Sequence, residues 1–557
     1  MRNIISGVVL LASVLLPTAV QAQEGVSLTV DDLVQRIRKT EASIIANLKS
    51  LRPVMEIYVQ NLEPDKELGL VPVQDTYFLG RFAWDEQGPR LQTLSGNKET
   101  MKRRADAMKV TGLEFLPDGF AATAVPDWQL FDTSRYEFRI VRREFVGEVR
   151  TIVLDVKPKG EQGDGFSGRL WIEDVAFHIV RFNGINRRVQ RSLFKKKIPV
   201  HVDAWRINVM PGVWVPSYVY CEETDLQGAP SRARTARFKS HIRMWGYDPG
   251  RAASGGQFTT IQIEPAMTDS AQTKQLSPIA SQRRWEQEAE GNVIERLEQA
   301  GLLAPTGDVE RVLETVVNNL IVTNDIVVDA PVKARVLLTS PLESFTVGHT
   351  IVLSRGLIDV LPDESSLAMM LAHELSHIVL GHPLIDTQFA FADRMMVDDD
   401  NLLSVLKVSR DPIQEAAADA KLIEMLGKSP YKDKLADAGL FLRVVADKAR
   451  RLPNLIQPHI GDHLAGGGGG NRLAVIMSQA PELVEEKLDQ VAALPIGARL
   501  VIDPWSSRIE LSRAVTPTLK SVREKAPFAV TPLMPNLTYF GSAAKAAAAA
   551  NTPTPAQ

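Results

Sequence analysis

Leu371-Ala-His373-Glu374-Leu-Ser-His377-Ile-Val-Leu-Gly381-His382 is the stretch on which the reading of this chain turns. Its centre is H-E-x-x-H. On an α-helix, residues i and i+4 share one face a turn apart, so His373 and His377 can grip one metal ion. Glu374 lies beside them, placed to take a proton from an attacking water. The flanks predict the helix. Pro362-Asp363-Glu364 opens it with Asp363 as cap, and Leu367, Met370, Leu371, Leu375, Ile378 and Val379 recur at helical spacing. Gly381 and Pro383 end it. The chain has 9 histidines, and His373, His377 and His382 fall within this one run, which argues against accident.

A hydrolytic zinc takes three protein ligands and keeps one position open. Pro412-Ile-Gln-Glu415-Ala-Ala-Ala418-Asp419 supplies a third, because Glu415 and Asp419 share a helix face one turn apart. Glu415 can ligate. Asp419 can accept a hydrogen bond from the far nitrogen of a ligand histidine and fix its tautomer. The alanines between them suit a close approach to the first helix; high helix propensity is the plainer reason for them.

His373-Glu-Leu-Ser-His377-Ile-Val-Leu-Gly381-His382 together with Glu415-Ala-Ala-Ala-Asp419 resembles the H-E-x-x-H-x-x-x-G-H and E-x-x-A-D pattern of the HtpX-like zinc metallopeptidases. That family includes CAAX-prenyl-protease-type and Oma-type enzymes and periplasmic outer-membrane quality-control proteases. The resemblance covers roughly residues 280–480. It implies one Zn2+ per chain held by His373, His377 and Glu415, Glu374 as catalytic base, Asp419 behind a ligand histidine, and protein or peptide substrates. It also implies a mainly helical zincin-type domain, gluzincin in its ligand set. Phe345-Thr-Val-Gly348-His-Thr-Ile351-Val-Leu-Ser-Arg-Gly356-Leu357 resembles the family's edge strand and following turn; a peptide bound as an added strand near Thr346 to Leu353 would present its backbone to the metal. Where many relatives carry Asn-Ala-Phe, this chain has Glu343-Ser344-Phe345. His459 and His463 precede a run of glycines, Gly466 to Gly470, and Arg472 follows it. Any of the three could stabilise an oxyanion or close over the site; a surface polar role is the plainer reading of each. His382 is assigned to structure, because at i+5 from His377 it points off the ligand face.

The rest of the chain is organised around this domain. With 557 residues it exceeds a single core, and 64 basic against 67 acidic residues give no reason to invoke nucleic acid. Arg2, the apolar run Ile4 to Leu16 and Val20-Gln21-Ala22 read as a secretory signal over residues 1–22, so an exported protein, periplasmic or extracellular and soluble after cleavage, is expected. The single cysteine, Cys221, excludes an intrachain disulfide and reads as packing.

Residues 27–62 read as helix, from Leu33, Ile37, Ile44, Leu48, Leu51, Met55 and Tyr58. From about Thr76 to Tyr247 the period changes to two, as in Val149-Arg-Thr-Ile-Val-Leu-Asp-Val156 and the hairpin around Pro211-Gly212. This predicts an antiparallel β-sheet or half-barrel, and with residues 23–248 as one domain the fold class is α+β multidomain. The run Gly168-Arg-Leu-Trp-Ile-Glu, with the next strand over Phe177 to Phe182, resembles LolA/LolB-like lipoprotein-carrier half-barrels in strand order and style. That resemblance implies a concave face for acyl chains, against a sheet that merely packs on the protease. The basic run Asn186 to Lys197 reads as a solvated loop, with contact to anionic lipid headgroups as the sharper alternative. Residues 249–282 read as linker, 283–482 as the metallopeptidase domain, 483–542 as a C-terminal segment with strands near Ala498 and Arg508, and 543–557 as a disordered Ala/Pro tail. Helices are expected over Trp285 to Leu302, from Asp308, over Ile385 to Val408, Asp411 to Leu426 and Tyr431 to Arg450.

The function expected is an exported zinc-dependent endopeptidase acting on proteins, with envelope protein quality control as its setting. The alternative is a binding module or chaperone for exported or lipid-linked proteins, with the zinc domain regulated or inactive. Mass spectrometry of exported protein should find a mature start near Gln23; retention of Met1 contradicts the leader.

Overall fold

The computed structural model describes residues 29–86, 88–94, 117–125, 132–159, 165–191, 196–223, 237–247, 277–382, 410–456, 473–497, 499–512 and 518–541. The leader, most of the linker, the helix expected over Ile385 to Val408, the glycine run with His459, His463 and Arg472, and the Ala/Pro tail lie outside the described residues. Within them, an N-terminal antiparallel sheet domain is followed by a mainly helical region.

Helix α1 spans Val30–Leu51, with the Thr29 hydroxyl capping it at Asp32 N. It ends at Arg52, which takes the left-handed conformation (φ 42°) directly before Pro53. The expected helix therefore stops short, and Met55 and Tyr58 belong instead to strand β1 (Val54–Asp65). There the period is two: Met55, Ile57 and Val59 face one way, and Val54, Glu56 and Tyr58 the other. The other strands are β2 (Gly69–Asp85), β3 (Gly88–Thr93), β4 (Tyr136–Val146), β5 (Val149–Pro158), β6 (Phe166–Glu173), β7 (Ile179–Arg191), β8 (Lys196–Met210), β9 (Val213–Glu223) and β10 (Arg237–Trp245). They form one ten-stranded sheet in the order β3-β2-β1-β10-β9-β8-β7-β6-β5-β4. The basic run read as a loop is largely the ends of β7 and β8, paired from Val189↔Ile198 to Arg191↔Lys196.

The sheet has protein on both faces. On one, Leu33, Val34, Ile37, Ile44 and Leu48 of α1 pack with Met55, Ile57 and Val59 and with Val202, Val219 and Ile242. Arg206 of β8 reaches up and grips Glu41 of α1 through two bonds of 2.6 and 2.7 Å, both side chains fully buried. On the other face, Tyr58, Trp171, Trp205, Trp214 and Trp245 share one apolar core with the helical region. Hydrogen bonds stitch this face: Gln60 Nε2 donates to Phe528 O (2.7 Å), Trp245 Nε1 to Gly301 O (2.9 Å), and Asp75 accepts from the Asn454 and Leu455 amides (3.0 and 2.8 Å). The sheet packs on the helical region face to face.

The helical region begins with α3 (Pro278–Gln299), earlier than expected, after α2 (Asp118–Thr123) of the sheet domain. Then come α4 (Asp308–Thr323), β11 (Lys333–Leu337), β12 (Ser344–Val347), β13 (Thr350–Ser354), α5 (Arg355–Val360) and α6 (Glu364–Val379). C-terminal to the undescribed stretch lie α7 (Pro412–Lys428), α8 (Leu435–Lys448), α9 (Pro453–Ile456), α10 (Ala474–Gln479) and the hairpin β14 (Leu500–Ile502) with β15 (Ile509–Leu511). The small sheet runs β11-β13-β12, with β11 parallel to β13 and β12 antiparallel at the edge.

A buried charge cluster joins the two domains and fixes where α6 starts. Arg355, wholly buried, donates to Ser340 Oγ (2.8 Å), Glu56 Oε2 of β1 (3.2 Å) and Asp359 Oδ2 (3.2 Å). Asp359 in turn accepts from Leu500 N (2.7 Å), and Arg499 donates to Pro362 O (2.7 Å) at the mouth of α6. Burial first, only partly offset by the Arg355 charge, raises the Glu56 and Asp359 carboxyls above their usual range. Gly356 is required here, since a Cβ would stand 1.8 Å from Ser340 O.

The Glu41–Arg206 pair gives a direct test of how α1 is held. Removing one partner leaves a buried charge uncompensated, so Glu41→Ala should cost ~3–5 kcal/mol in denaturant unfolding of the sheet domain. Replacing both by methionine should cost far less; equal losses would contradict this account.

Candidate metal centre

α6 forms as its sequence requires. Asp363 Oδ1 accepts from Ser366 N at 2.7 Å, and the chain leaves the helix through Gly381 at φ 67°. Yet α6 is not a surface helix with one apolar stripe. Ser365, Ala368, Met369, Ala372 and Ser376 are buried as well as Met370, Leu371 and Leu375, so the helix runs through the core. A core helix that carries His373, Glu374 and His377, each at most 9% exposed, must find a partner for each.

α7 supplies two. Asp411 caps it at Ile413 N (2.7 Å), with Pro412 in its first turn, and this sets Glu415 and Asp419 against α6. Of the nearby alanines only Ala418 is buried in the contact; Ala416, Ala417 and Ala420 are exposed, where helix propensity is reason enough. Glu415 Oε2 stands 3.3 Å from His373 Nε2, and Oε1 3.8 Å from His377 Nε2. The two Nε2 atoms are 3.2 Å apart. Among the described residues, His373, His377 and Glu415 are the group of histidine, cysteine and carboxylate side chains placed to share an ion, with ligand atoms all within 4.8 Å. A tetrahedral zinc bound at ~2.0–2.1 Å separates its ligand atoms by roughly 3.3 Å, so the donor set and its spacing fit that ion.

The far side of each imidazole is also held. His373 Nδ1 faces Asp419 Oδ1 at 3.0 Å. His377 Nδ1 lies 3.0 Å from His382 Nδ1. His382 is thus outside the ion-sharing group, as its position in sequence suggested, but it does not point away: beyond Val379 the helix has ended, and the turn at Gly381 brings its ring back. Burial works against charge on His373, and the Asp419 and Glu415 carboxylates outweigh it, pushing its pKa up to about 9. Burial, then the charge of His373, pushes His377 down to about 2. Burial and the Arg410 charge lower His382 as well, which suits it to accept from His377 Nδ1–H.

Glu374 is held from the edge strand. Ser344 Oγ donates to its Oε1 and Thr346 Oγ1 to its Oε2, both at 2.7 Å. Arg410 donates to Thr346 O (3.1 Å) and His382 O, tying β12 to the turn after α6. Ser344, Thr346, His382 and Arg410 were not singled out in sequence for these contacts. Only His382 carried a signal, its place in the H-E-x-x-H-x-x-x-G-H pattern. His459, His463 and Arg472, the candidates for oxyanion stabilisation or gating, lie outside the described residues.

The geometry is that of a metal-dependent hydrolase centre. Residues 305–435 match the family model described as Peptidase family M48, so this region is an M48 peptidase domain and the HtpX-like resemblance of its two motifs stands. The chain therefore carries a metallopeptidase domain behind an antiparallel β domain. No curated protein matches the chain. Among solved structures, a putative outer membrane lipoprotein-sorting protein domain from Vibrio parahaemolyticus is similar at 9% identity, covering 38% of this chain and 91% of that one, with a TM-score of 0.20. A LolA superfamily protein from Nitrosomonas europaea is similar at 12% identity, over 37% and 90%, with a TM-score of 0.17. The Pseudomonas aeruginosa MucA/MucB complex is similar at 9% identity, over 38% and 92%, with a TM-score of 0.14. Similarity at this level carries no argument about what the sheet binds. Among the described residues, no helix is long and apolar enough to cross a membrane.

Proposed function

We propose that the chain is an exported zinc endopeptidase of the gluzincin type that cuts peptide bonds within protein substrates. The observation that carries this reading is the convergence of His373 Nε2, His377 Nε2 and the Glu415 carboxylate, with Glu374 one residue along the same helix. Zinc bound there supplies Lewis acidity. Glu374 takes the proton of the attacking water and returns it to the leaving amine. Asp419 holds His373 by Nδ1 and keeps Nε2 turned inward; His382 does the same for His377.

The substrate is a peptide added along β12, the edge of the small sheet. β13, which the sequence pattern placed on that surface too, is the central strand and has no free edge. Ser354 N bonds to Glu343 O at 2.8 Å, so Glu343 is turned toward β13 and, by alternation, the backbone groups of Ser344 and Thr346 face outward. Arg410 holds the Thr346 carbonyl and yields it when a peptide pairs there. The β domain acts as a scaffold, since most of its apolar side chains are buried under α1 and the peptidase domain, with Ile140 and Phe145 of β4 among the exceptions.

Glu374→Gln should abolish cleavage of an unfolded protein such as casein by ~10²–10⁴-fold while zinc content stays at one per chain. Glu415→Ala should lower zinc content, and Asp419→Ala should weaken zinc affinity by ~10–100-fold. Unchanged zinc in His373→Ala would refute the ligand set. A wild type that binds zinc and unfolded protein yet cleaves nothing would point to a binding module instead.

A further inference from the structure

The geometry points to Ser344 and Thr346 as positioning residues that lock the Glu374 carboxylate to the same edge strand on which the substrate is laid. This rests on the peptidase reading above.

Side chains alternate along a strand, so Ser344 and Thr346, two apart on β12, project to one face while Phe345 and Val347 project to the other. That face lies over α6. Both residues are buried, at 4% and 2% exposure with their backbones included, and Glu374 is 3% exposed. Each hydroxyl gives its one proton to a different oxygen of Glu374, at 2.7 Å in both cases. A carboxylate held by a single bond can still turn about its last torsion; held at both oxygens, it has a fixed plane. Each oxygen keeps a further lone pair free, which is what a base needs in order to meet a water proton. The Glu374 carbonyl lies 3.3 Å from the same Thr346 Oγ1, so the hydroxyl proton, given to the carboxylate, is at most shared weakly with it.

A buried carboxylate needs partners whatever its task, and any two donors would satisfy it. The consequence here lies in where the donors sit. β12 is the edge strand, and the outward backbone groups at Ser344 and Thr346 are those an added peptide would pair with. The same two residues therefore set the register of the peptide by their backbones and the plane of the base by their side chains. The scissile bond and the group that delivers its proton are referred to one rigid element; the hydroxyls act through the Glu374 carboxylate and are not among the side chains placed to share the ion.

The test uses zinc-loaded full-length chain and the variants Ser344→Ala, Thr346→Val, their double, and the hydroxyl-keeping Thr346→Ser. Hydrolysis of a fluorogenic peptide should show kcat reduced by about 10-fold in each single variant and about 100-fold in the double, the scale of a misplaced catalytic group. KM and zinc stoichiometry should stay within twofold of wild type, and Thr346→Ser should restore kcat. Wild-type kcat in the double variant overturns the proposal, as does a Thr346→Ser that loses as much as Thr346→Val. A second readout does not depend on turnover. Crystal structures of the zinc-loaded wild type and double variant should show the Glu374 carboxylate on both hydroxyls in the first and rotated in the second; the same orientation in both overturns the proposal. A zinc-loaded wild type that cleaves nothing defeats the peptidase reading, and the crystallographic comparison still decides the role of the two hydroxyls.

Discussion

The structure depends on one constraint: a helix that runs through the core carries three ionisable side chains, and each must find a partner. Burying a charged or polar group costs several kcal/mol unless it is partnered. Around α6 the partners come from three neighbouring segments. α7 brings Glu415 and Asp419 to the histidines, β12 brings two hydroxyls to Glu374, and the turn after α6 brings His382 to His377. The imidazole nitrogens that remain face each other across 3.2 Å, and the Glu415 carboxylate stands beside them. A bound cation resolves that arrangement, which is why the polarity of the helix and the proposed chemistry have the same cause.

The β domain enters through the same logic at longer range. Arg355 and Asp359 are as buried as the site itself, and Glu56, which completes their cluster, belongs to the first strand of the ten-stranded sheet. That cluster seats α5, and through Asp359 and Arg499 it seats the C-terminal hairpin and the start of α6. The sheet is thus one wall of the peptidase core. Its other face is covered by α1, anchored by Glu41 and Arg206.

The sequence was most legible where a signal is local. Spacings of i and i+4 placed His373, His377, Glu415 and Asp419, and the cap at Asp363 gave the start of α6. It was less legible where a local pattern continued past its cause. Met55 and Tyr58 keep the helical spacing of α1, but the chain turns at Arg52 and Pro53, and from Val54 alternation governs. The charges of Asn186 to Lys197 hid the strand ends that Val189 and Ile198 mark. The contacts of Ser344, Thr346 and Arg410 could not be read at all, because they join residues far apart in sequence: Thr346 to Glu374, and Arg410 to Thr346. Short hydroxyl side chains on a strand look alike whether they face solvent or a buried carboxylate.

The central claim is that one metal ion sits among His373, His377 and Glu415 with a coordination position left open. Anomalous diffraction from a crystal of the zinc-loaded protein, collected on both sides of the zinc absorption edge, tests it most directly. The account predicts a single peak per chain, ~2.0–2.2 Å from both Nε2 atoms and a Glu415 oxygen. No peak there, a peak elsewhere in the chain, or a fourth protein ligand closing the coordination would contradict it.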